Sequence, residues 1–187
     1  MGESEHPAAE PSFGLKRFSD DGLLREGGYA LVLGRGMSDG IFLAERGYVV
    51  DAVGRVMALR GKRQGGLCIN FYNVEIVSFL VPSGVYDLIA ANDALRSIED
   101  KEAIAREVRK MAEGLVPGGL LYFTLFGSRD EWVGRSGMSF FGWDEALALT
   151  AGLSLKTHYS AIEEVYEKSP LSGDIYHQIF HFLYVKE

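Results

Sequence analysis

The sequence predicts one α/β domain built on a doubly wound, mostly parallel sheet. Its 187 residues, 47% hydrophobic and 24% charged, have the make-up of a single globular domain. Twenty-three glycines against five prolines favour many tight turns between strands and helices. Continuous apolar runs that stop at glycine turns are typical of strands buried on both faces of a parallel sheet.

The first such unit is the clearest. Tyr29 to Leu33 is an apolar run that ends at the turn Gly34-Arg35-Gly36, and a short helix is expected from Asp39 to Arg46. Gly47 would end this helix, and Tyr48 to Val53 would form the second strand. A strand, a glycine turn, a helix and a strand within thirty residues are typical of the opening of a nucleotide-binding fold.

The middle of the chain continues the pattern. Strands are expected over Gly66–Phe71 and Val85–Ala91, whereas 74–81 fits either a short helix or a strand. Glu99 to Leu115 predicts an amphipathic helix, with acidic residues in its first turn, and the corner Val116-Pro-Gly-Gly119 would terminate it.

The remaining residues predict a fifth strand and a closing hairpin. Leu120 to Phe126 would be the fifth strand, and a loop rich in glycine and tryptophan leads to a short helix from Trp143. From Leu153, two long strands separated by residues 167–174 would form an antiparallel hairpin. The loop is a candidate lid, and its Trp132 and Phe141 are candidate acceptor-binding residues, although such aromatic residues are more commonly core anchors.

Composition and net charge limit the classes of binding partner that are expected. A formal net charge of −7 and a sequence pI near 5.2 argue against nucleic-acid or membrane binding, and therefore favour a small-molecule substrate. The single cysteine, Cys68, excludes a disulfide within the chain and fits a reducing compartment. Without an apolar run of about 20 residues or a secretion signal, a cytoplasmic location is expected. Residues 1–14 are expected to form a flexible tail before a single domain over 15–187; a homo-oligomer or a protein partner stays open.

Four segments resemble class I S-adenosylmethionine-dependent methyltransferases, over nearly the whole chain from residue 28. They are Leu33-Gly-Arg-Gly36 with the helix after it, Tyr86-Asp-Leu-Ile89, Leu115-Val-Pro-Gly-Gly-Leu120, and the closing hairpin. The compact size is most similar to the tellurite-resistance and small-molecule branch. The resemblance implies a Rossmann-like sheet of seven strands, the last antiparallel, and S-adenosylmethionine as cofactor.

The resemblance also assigns a cofactor site, around which it places Gly34, Arg35, Gly36, Gly54, Arg55, Glu75, Ile76 and Asn92. Within that set, the glycine turn would approach the methionine part, and Glu75 with Ile76 would hold the adenine. Val32 and Gly54 stand where the family usually has acidic residues. A carboxylate bound to ribose hydroxyls contributes ~1.5–3 kcal/mol, so cofactor affinity should fall by roughly one to two orders of magnitude unless another group substitutes.

The expected chemistry is alignment and desolvation of the acceptor, because the methyl donor is already activated. Asp93, just after the fourth strand, is the candidate to face the acceptor, with capping of the next turn as its alternative role. His177 and His181 would lie ~13 Å apart on a strand, too far to share a metal, so no metal site is expected.

Two other classes compete with this interpretation. A methyltransferase-like domain without catalysis, serving as a binding or assembly module, accounts directly for Val32 and Gly54. The pair Gly54-Arg55 also fits a cofactor with a 2′-phosphate, and hence an NADP-binding protein. No tyrosine is followed four residues later by lysine, as the short-chain dehydrogenases require, which makes the second class a minor alternative.

Overall fold

The computed structural model describes residues 10–34, 37–54, 66–169 and 173–187. In this part of the chain the strands are β1 Gly28–Leu33, β2 Tyr48–Val53, β3 Ile69–Tyr72, β4 Tyr86–Ala91, β5 Leu115–Gly127, β6 Phe140–Phe141, β7 Leu155–Ser169 and β8 Gly173–Lys186. The α-helices are α1 Phe13–Asp20, α2 Met37–Glu45, α3 Lys101–Gly114 and α4 Trp143–Ala148. Single 3₁₀ turns occur at Ile76–Ser78 and Leu95–Ser97.

The strands form one sheet in the order β3-β2-β1-β4-β5-β8-β7, and the short β6 pairs with β5 off this path. Strands β1 to β5 run parallel, whereas β8 runs antiparallel to both β5 and β7. The predicted doubly wound sheet of seven strands with an antiparallel last strand is therefore confirmed, with β6 as an addition. Successive strands are added toward one edge of the sheet from β1 to β3 and toward the other edge from β4 onward. The carboxyl ends of β1 and β4 therefore flank the crevice where such folds bind ligands.

The core lies on both faces of the sheet. On one face, α3 buries Ile104, Val108 and Met111 against β4, β5 and β8. This helix begins at the N-cap Asp100, whose carboxylate accepts from the backbone N–H groups of Glu102 and Ala103. The other face is covered by α1 and α2.

Three elements differ from the sequence predictions. The predicted tail is too long, because α1 begins at Phe13 and buries Leu15 and Phe18; residues 1–9 lie outside the described residues. Residues 74–81 contain one 3₁₀ turn, which explains why the sequence pattern favoured neither an α-helix nor a strand there. Strand β5 begins at Leu115, so the Pro-Gly-Gly corner belongs to the strand rather than to a separate loop. Among the described helices, none combines the length and the apolar character needed to cross a membrane.

Candidate functional site

A cavity of about 270 Å³ opens at the carboxyl ends of β1, β2 and β4. Gly34 follows β1 and Gly54 follows β2, and both line this first cavity. Glu75 and Ile76 line it from the segment after β3, and Asp93 from the turn after β4. Five of the residues predicted from the sequence are thus brought together at one edge of the sheet.

The two glycines are required by close packing. A Cβ on Gly54 would lie 2.5 Å from the carbonyl oxygen of Gly34, and its φ of +154° is one that side chains rarely adopt. Gly34 has φ +101°, and a Cβ there would lie 3.0 Å from the Cβ of Ala94. The requirement for glycine therefore arises from the joined strand ends themselves, which leave a backbone-lined floor to the cavity.

The missing acidic residues are not replaced by a nearby carboxylate of β2. Val32 is buried in the core. Asp51 accepts hydrogen bonds from Tyr86 Oη at 2.8 Å and Asn70 Nδ2 at 2.9 Å. Arg35, Gly36 and Arg55, which the resemblance assigned to the cofactor, lie outside the described residues. Besides backbone and apolar side chains, the described lining of the cavity includes Glu75, Ser97 and the ion pair of Asp93 with Arg96.

Asp93 has an unusual backbone. Its φ is +55°, the one left-handed non-glycine conformation among the described residues. The backbone N–H donates to Thr124 Oγ1 at 2.8 Å, and the carboxylate pairs with Arg96 Nε at 3.0 Å. A strained residue fixed in this way at a strand end is typical of functional sites. The positive charge of Arg96 beside the first cavity is offset by this ion pair.

A second cavity, of about 390 Å³, adjoins the first. Asp93 and Arg96 line both cavities. The second cavity is bounded by α1, β5, β7 and β8. Asn92, which the resemblance assigned to the cofactor, lines this second cavity and not the first. The pair of cavities provides two adjoining compartments at the carboxyl edge of the sheet.

One wall of the second cavity carries a hydrogen-bonded chain. Tyr122 Oη donates to Asn92 Oδ1 at 3.0 Å and lies 3.1 Å from His181 Nδ1. His181 Nε2 lies 2.8 Å from Glu163 Oε2, and because an ionised carboxylate only accepts, Nε2 carries the proton. Burial raises the pKa of Tyr122 and lowers the pKa of His181, the latter against the opposing effect of Glu163.

A second histidine lies on the same face of β8. His177 Nδ1 is 3.0 Å from Asp130 Oδ2, and Nε2 is 3.5 Å from Glu167 Oε2. The Asp130 carboxylate also accepts from the backbone N–H groups of Gln178 and Trp132. The loop after β5 is thereby anchored to β8 through one buried carboxylate.

The two aromatic residues predicted to bind the acceptor lie elsewhere. Phe141 is 1% exposed and belongs to the core, with the Lys101 ammonium 4.7 Å from its ring centroid. Trp132 packs edge-on against His177, with ring centroids 4.6 Å apart, and does not line the second cavity. In both cases the ordinary role of aromatic residues as packing anchors prevails, and neither contributes to the cavities.

Apart from Asn92 and Asp93, sequence reasoning missed the residues that line the second cavity, among them Tyr122, Thr124, Glu163, His177 and His181. The alternation of side chains along β5 and β8 could have indicated these residues, because positions two or four residues apart on a strand lie on one face of the sheet. The two histidines were considered only as metal ligands. No group of three or more metal-ligating side chains occurs within the described ranges.

No protein-family model and no curated protein matches the sequence. Solved structures do match. TehB from Haemophilus influenzae has a TM-score of 0.73 at 15% identity, over 92% of this chain and 62% of TehB. A SAM-dependent methyltransferase from Methanosarcina mazei has a TM-score of 0.67 at 17% identity, over 90% and 96% of the two chains.

A third match carries ligands. It is the 1,6-didemethyltoxoflavin-N1-methyltransferase of Burkholderia thailandensis, with 1,6-didemethyltoxoflavin and S-adenosylhomocysteine bound. Its TM-score is 0.61 at 15% identity, over 92% of this chain and 76% of that one. The fold of this chain is therefore that of the class I S-adenosylmethionine-dependent methyltransferases.

Proposed function

We propose that this protein is an S-adenosylmethionine-dependent methyltransferase of a small-molecule acceptor. The observation that carries the proposal is the pair of adjoining cavities, which share Asp93 and Arg96 at the crevice between β1 and β4. One compartment is floored by glycine backbone, and the other is lined by polar and aromatic side chains. A reaction between two bound molecules needs this division.

The first cavity is the proposed cofactor cavity, and its described residues are suited to an adenosyl ligand. Gly34 and Gly54 leave backbone exposed where side chains would intrude, Glu75 supplies an acceptor for an amino group, and Ile76 an apolar surface for a ring. When bound, the cofactor would supply a methyl group on a positively charged sulfur. Asp93 keeps Arg96 paired, so that a guanidinium does not repel that positive charge.

The chain's own contribution to catalysis would be positioning and exclusion of water. Thr124 fixes the backbone of Asp93 where the two compartments meet. Phe13 from α1 and the strands β7 and β8 enclose the acceptor compartment. Such enclosure strengthens electrostatic interactions and aligns the reacting atoms.

A non-catalytic binding module is the second candidate function. Its supporting observation is that neither Val32 nor Gly54 provides a carboxylate for ribose, and that Asp51 is engaged by Tyr86 and Asn70. An NADP-binding function rested on Arg55, which lies outside the described residues.

Isothermal titration calorimetry separates these functions. The enzyme predicts micromolar binding of S-adenosylmethionine and S-adenosylhomocysteine, and about tenfold or greater weakening by Glu75→Ala. Glu113→Ala, on the exposed side of α3, is the matched control and should leave the affinity unchanged. The absence of binding heat up to millimolar ligand supports the non-catalytic module. Binding of NADPH in place of the methyl donor supports the dinucleotide-binding alternative.

A further inference from the structure

We propose that the acceptor is a small cationic amine and that His177, held by Asp130, is the general base that removes its proton. This inference rests on the proposed methyltransferase function and specifies the substrate class of the second cavity. It is carried by the geometry of a buried histidine–aspartate pair in that cavity.

The pair fixes the tautomer of His177. The side chain of His177 is 5% exposed and that of Asp130 is fully buried, with 3.0 Å between Nδ1 and Oδ2. Because Asp130 accepts at Nδ1, the proton of the neutral imidazole resides there, and Nε2, 3.5 Å from Glu167 Oε2, is the nitrogen that can accept a proton. His177 and Glu167 both line the cavity, so the imidazole lies at the wall that a bound acceptor would meet.

Neighbouring rings and backbone hold the pair in place. The His177 ring meets Trp132 and Phe126 edge-on, at centroid distances of 4.6 and 5.6 Å. Asp130 also accepts from the Gln178 N–H at 3.1 Å. A base that is oriented by a carboxylate and clamped by packing needs little reorganisation when it takes a proton.

Glu167 provides the exit for that proton. Its side chain is 71% exposed and its Oε2 lies 3.5 Å from His177 Nε2. A carboxylate between the imidazole and water can accept the proton and release it to solvent. Asp130 from the loop and Glu167 from β7 are the charged groups at the two ring nitrogens of His177, and the same cavity is also lined by Asp93, Arg96, Glu163 and His181.

The charge of the cavity selects a cation. Asp93 and Arg96 offset each other at 3.0 Å. Glu163 is bonded to His181, which burial keeps toward its neutral form, and Glu167 adds a second carboxylate. The described walls therefore carry an excess of negative charge, which repels carboxylates and metalloid oxyanions and attracts an ammonium group.

The aromatic walls fit the same ligand. Phe13, Tyr122 and Phe126 line the cavity. Ring faces attract ammonium groups as well as apolar substituents. An amine with an apolar or aromatic body would therefore find both of its parts accommodated.

The reaction balances as follows in atoms and electrons. His177 Nε2 takes one N–H proton of the ammonium group, and that bond's electron pair becomes the nitrogen lone pair. This pair would form the new bond to the methyl carbon of a bound donor, whose carbon–sulfur bond would break and leave its electron pair on sulfur. The proton passes by way of Glu167 to water, so that one proton is released for each methyl group transferred.

Three isosteric probes test the binding: benzylamine, benzyl alcohol and benzoate, titrated into the protein saturated with S-adenosylhomocysteine. Benzylamine is expected to bind at least about tenfold more tightly than benzoate. Glu163→Gln and Glu167→Gln should each weaken benzylamine binding by about fivefold. Glu164→Gln removes the same charge on the opposite face of β7, next to Arg129, and should not change the affinity.

A pH profile tests the role of His177. His177→Gln should slow methylation of benzylamine by about 100- to 10,000-fold at neutral pH. The difference in rate between the variant and the wild type should become smaller above the pKa of the amine, because the amine in solution is then already deprotonated. A merely structural role of His177 would give a deficit independent of pH, and the binding of S-adenosylhomocysteine serves as the check on folding.

The outcomes distinguish the two proposals. If S-adenosylhomocysteine does not bind, the proposed function fails. If it binds but benzoate binds as tightly as benzylamine, or if benzylamine is not methylated, or if the His177→Gln deficit is constant with pH, the amine assignment is overturned while the proposed function stands.

Discussion

The backbone N–H of Asp93 donates to the hydroxyl of Thr124 at 2.8 Å, which ties the turn after β4 to the neighbouring strand β5. Thr124 is 2% exposed, and Asp93 has the left-handed φ of +55°. Since Asp93 lines both cavities, one hydroxyl fixes the backbone where the cofactor and the acceptor would meet.

Thr124→Val tests this relationship. It preserves shape but removes the acceptor of the Asp93 N–H, and we expect the free energy of unfolding to fall by about 1–3 kcal/mol, as for a buried donor without its partner. Urea denaturation provides the measurement. Thr157→Val on the exposed surface of β7 should change stability by no more than about 0.5 kcal/mol. Equal effects at the two threonines would refute the structural role.

Adding a methyl group at Gly54 should be destabilising. The new Cβ would lie 2.5 Å from the carbonyl oxygen of Gly34, at a φ unfavourable for alanine. We expect Gly54→Ala to cost about 1–3 kcal/mol and to weaken the binding of S-adenosylhomocysteine.

The same change at Gly40 is its control. Gly40 lies inside α2, where a Cβ would meet only Val50 Cγ1 at 3.8 Å. Gly40→Ala should therefore stabilise the protein by roughly 0.5–1 kcal/mol in thermal or urea unfolding. A Gly54→Ala variant as stable as the wild type would contradict the packing of the β1 and β2 ends.

The Asp130–His177 pair should show strong coupling in a double-mutant cycle. For Asp130→Asn, His177→Gln and the double variant, urea unfolding should give a coupling energy of about 1.5–3 kcal/mol, as for a buried hydrogen bond to a charged group. The half-exposed pair Lys101–Glu145 is the comparison and should give about 0.2–1 kcal/mol. No difference between the two cycles would show that Asp130 does not hold the imidazole.

His181 predicts a dependence of stability on pH. Burial lowers its pKa below the ordinary 6.5, so the unfolded chain binds a proton before the folded protein does. The free energy of unfolding should therefore decrease as the pH falls below 6.5, until the pH passes the folded pKa. His181→Gln should lose less stability than the wild type between about pH 7.5 and about pH 5. Equal losses of stability in the variant and the wild type would show that protonation of His181 is not the cause.

Local patterns in the sequence predicted the strand ends around the first cavity. Strand β2 has the predicted bounds, and Gly34 and Gly54 reach one cavity because each directly follows a strand, while Glu75 lies three residues after the end of β3. Parallel strands bring their carboxyl ends together, so position along the chain sufficed.

The lining of the second cavity could not be predicted in this way. Thr124 and His181 become neighbours only through the register of β5 with β8, and Glu163 through that of β7 with β8. These pairings join residues far apart in the chain and depend on tertiary structure. Helix α1 was missed because only a short stretch that includes Leu15 and Phe18 marks its buried face.

The central claim is that the cavity floored by Gly34 and Gly54 binds an adenosyl sulfonium. Calorimetric titration of the wild-type chain with S-adenosylmethionine tests it most directly. We predict saturable micromolar binding with one ligand per chain, competed by S-adenosylhomocysteine and weakened by Glu75→Ala. The absence of heat and of competition up to millimolar ligand would contradict the account.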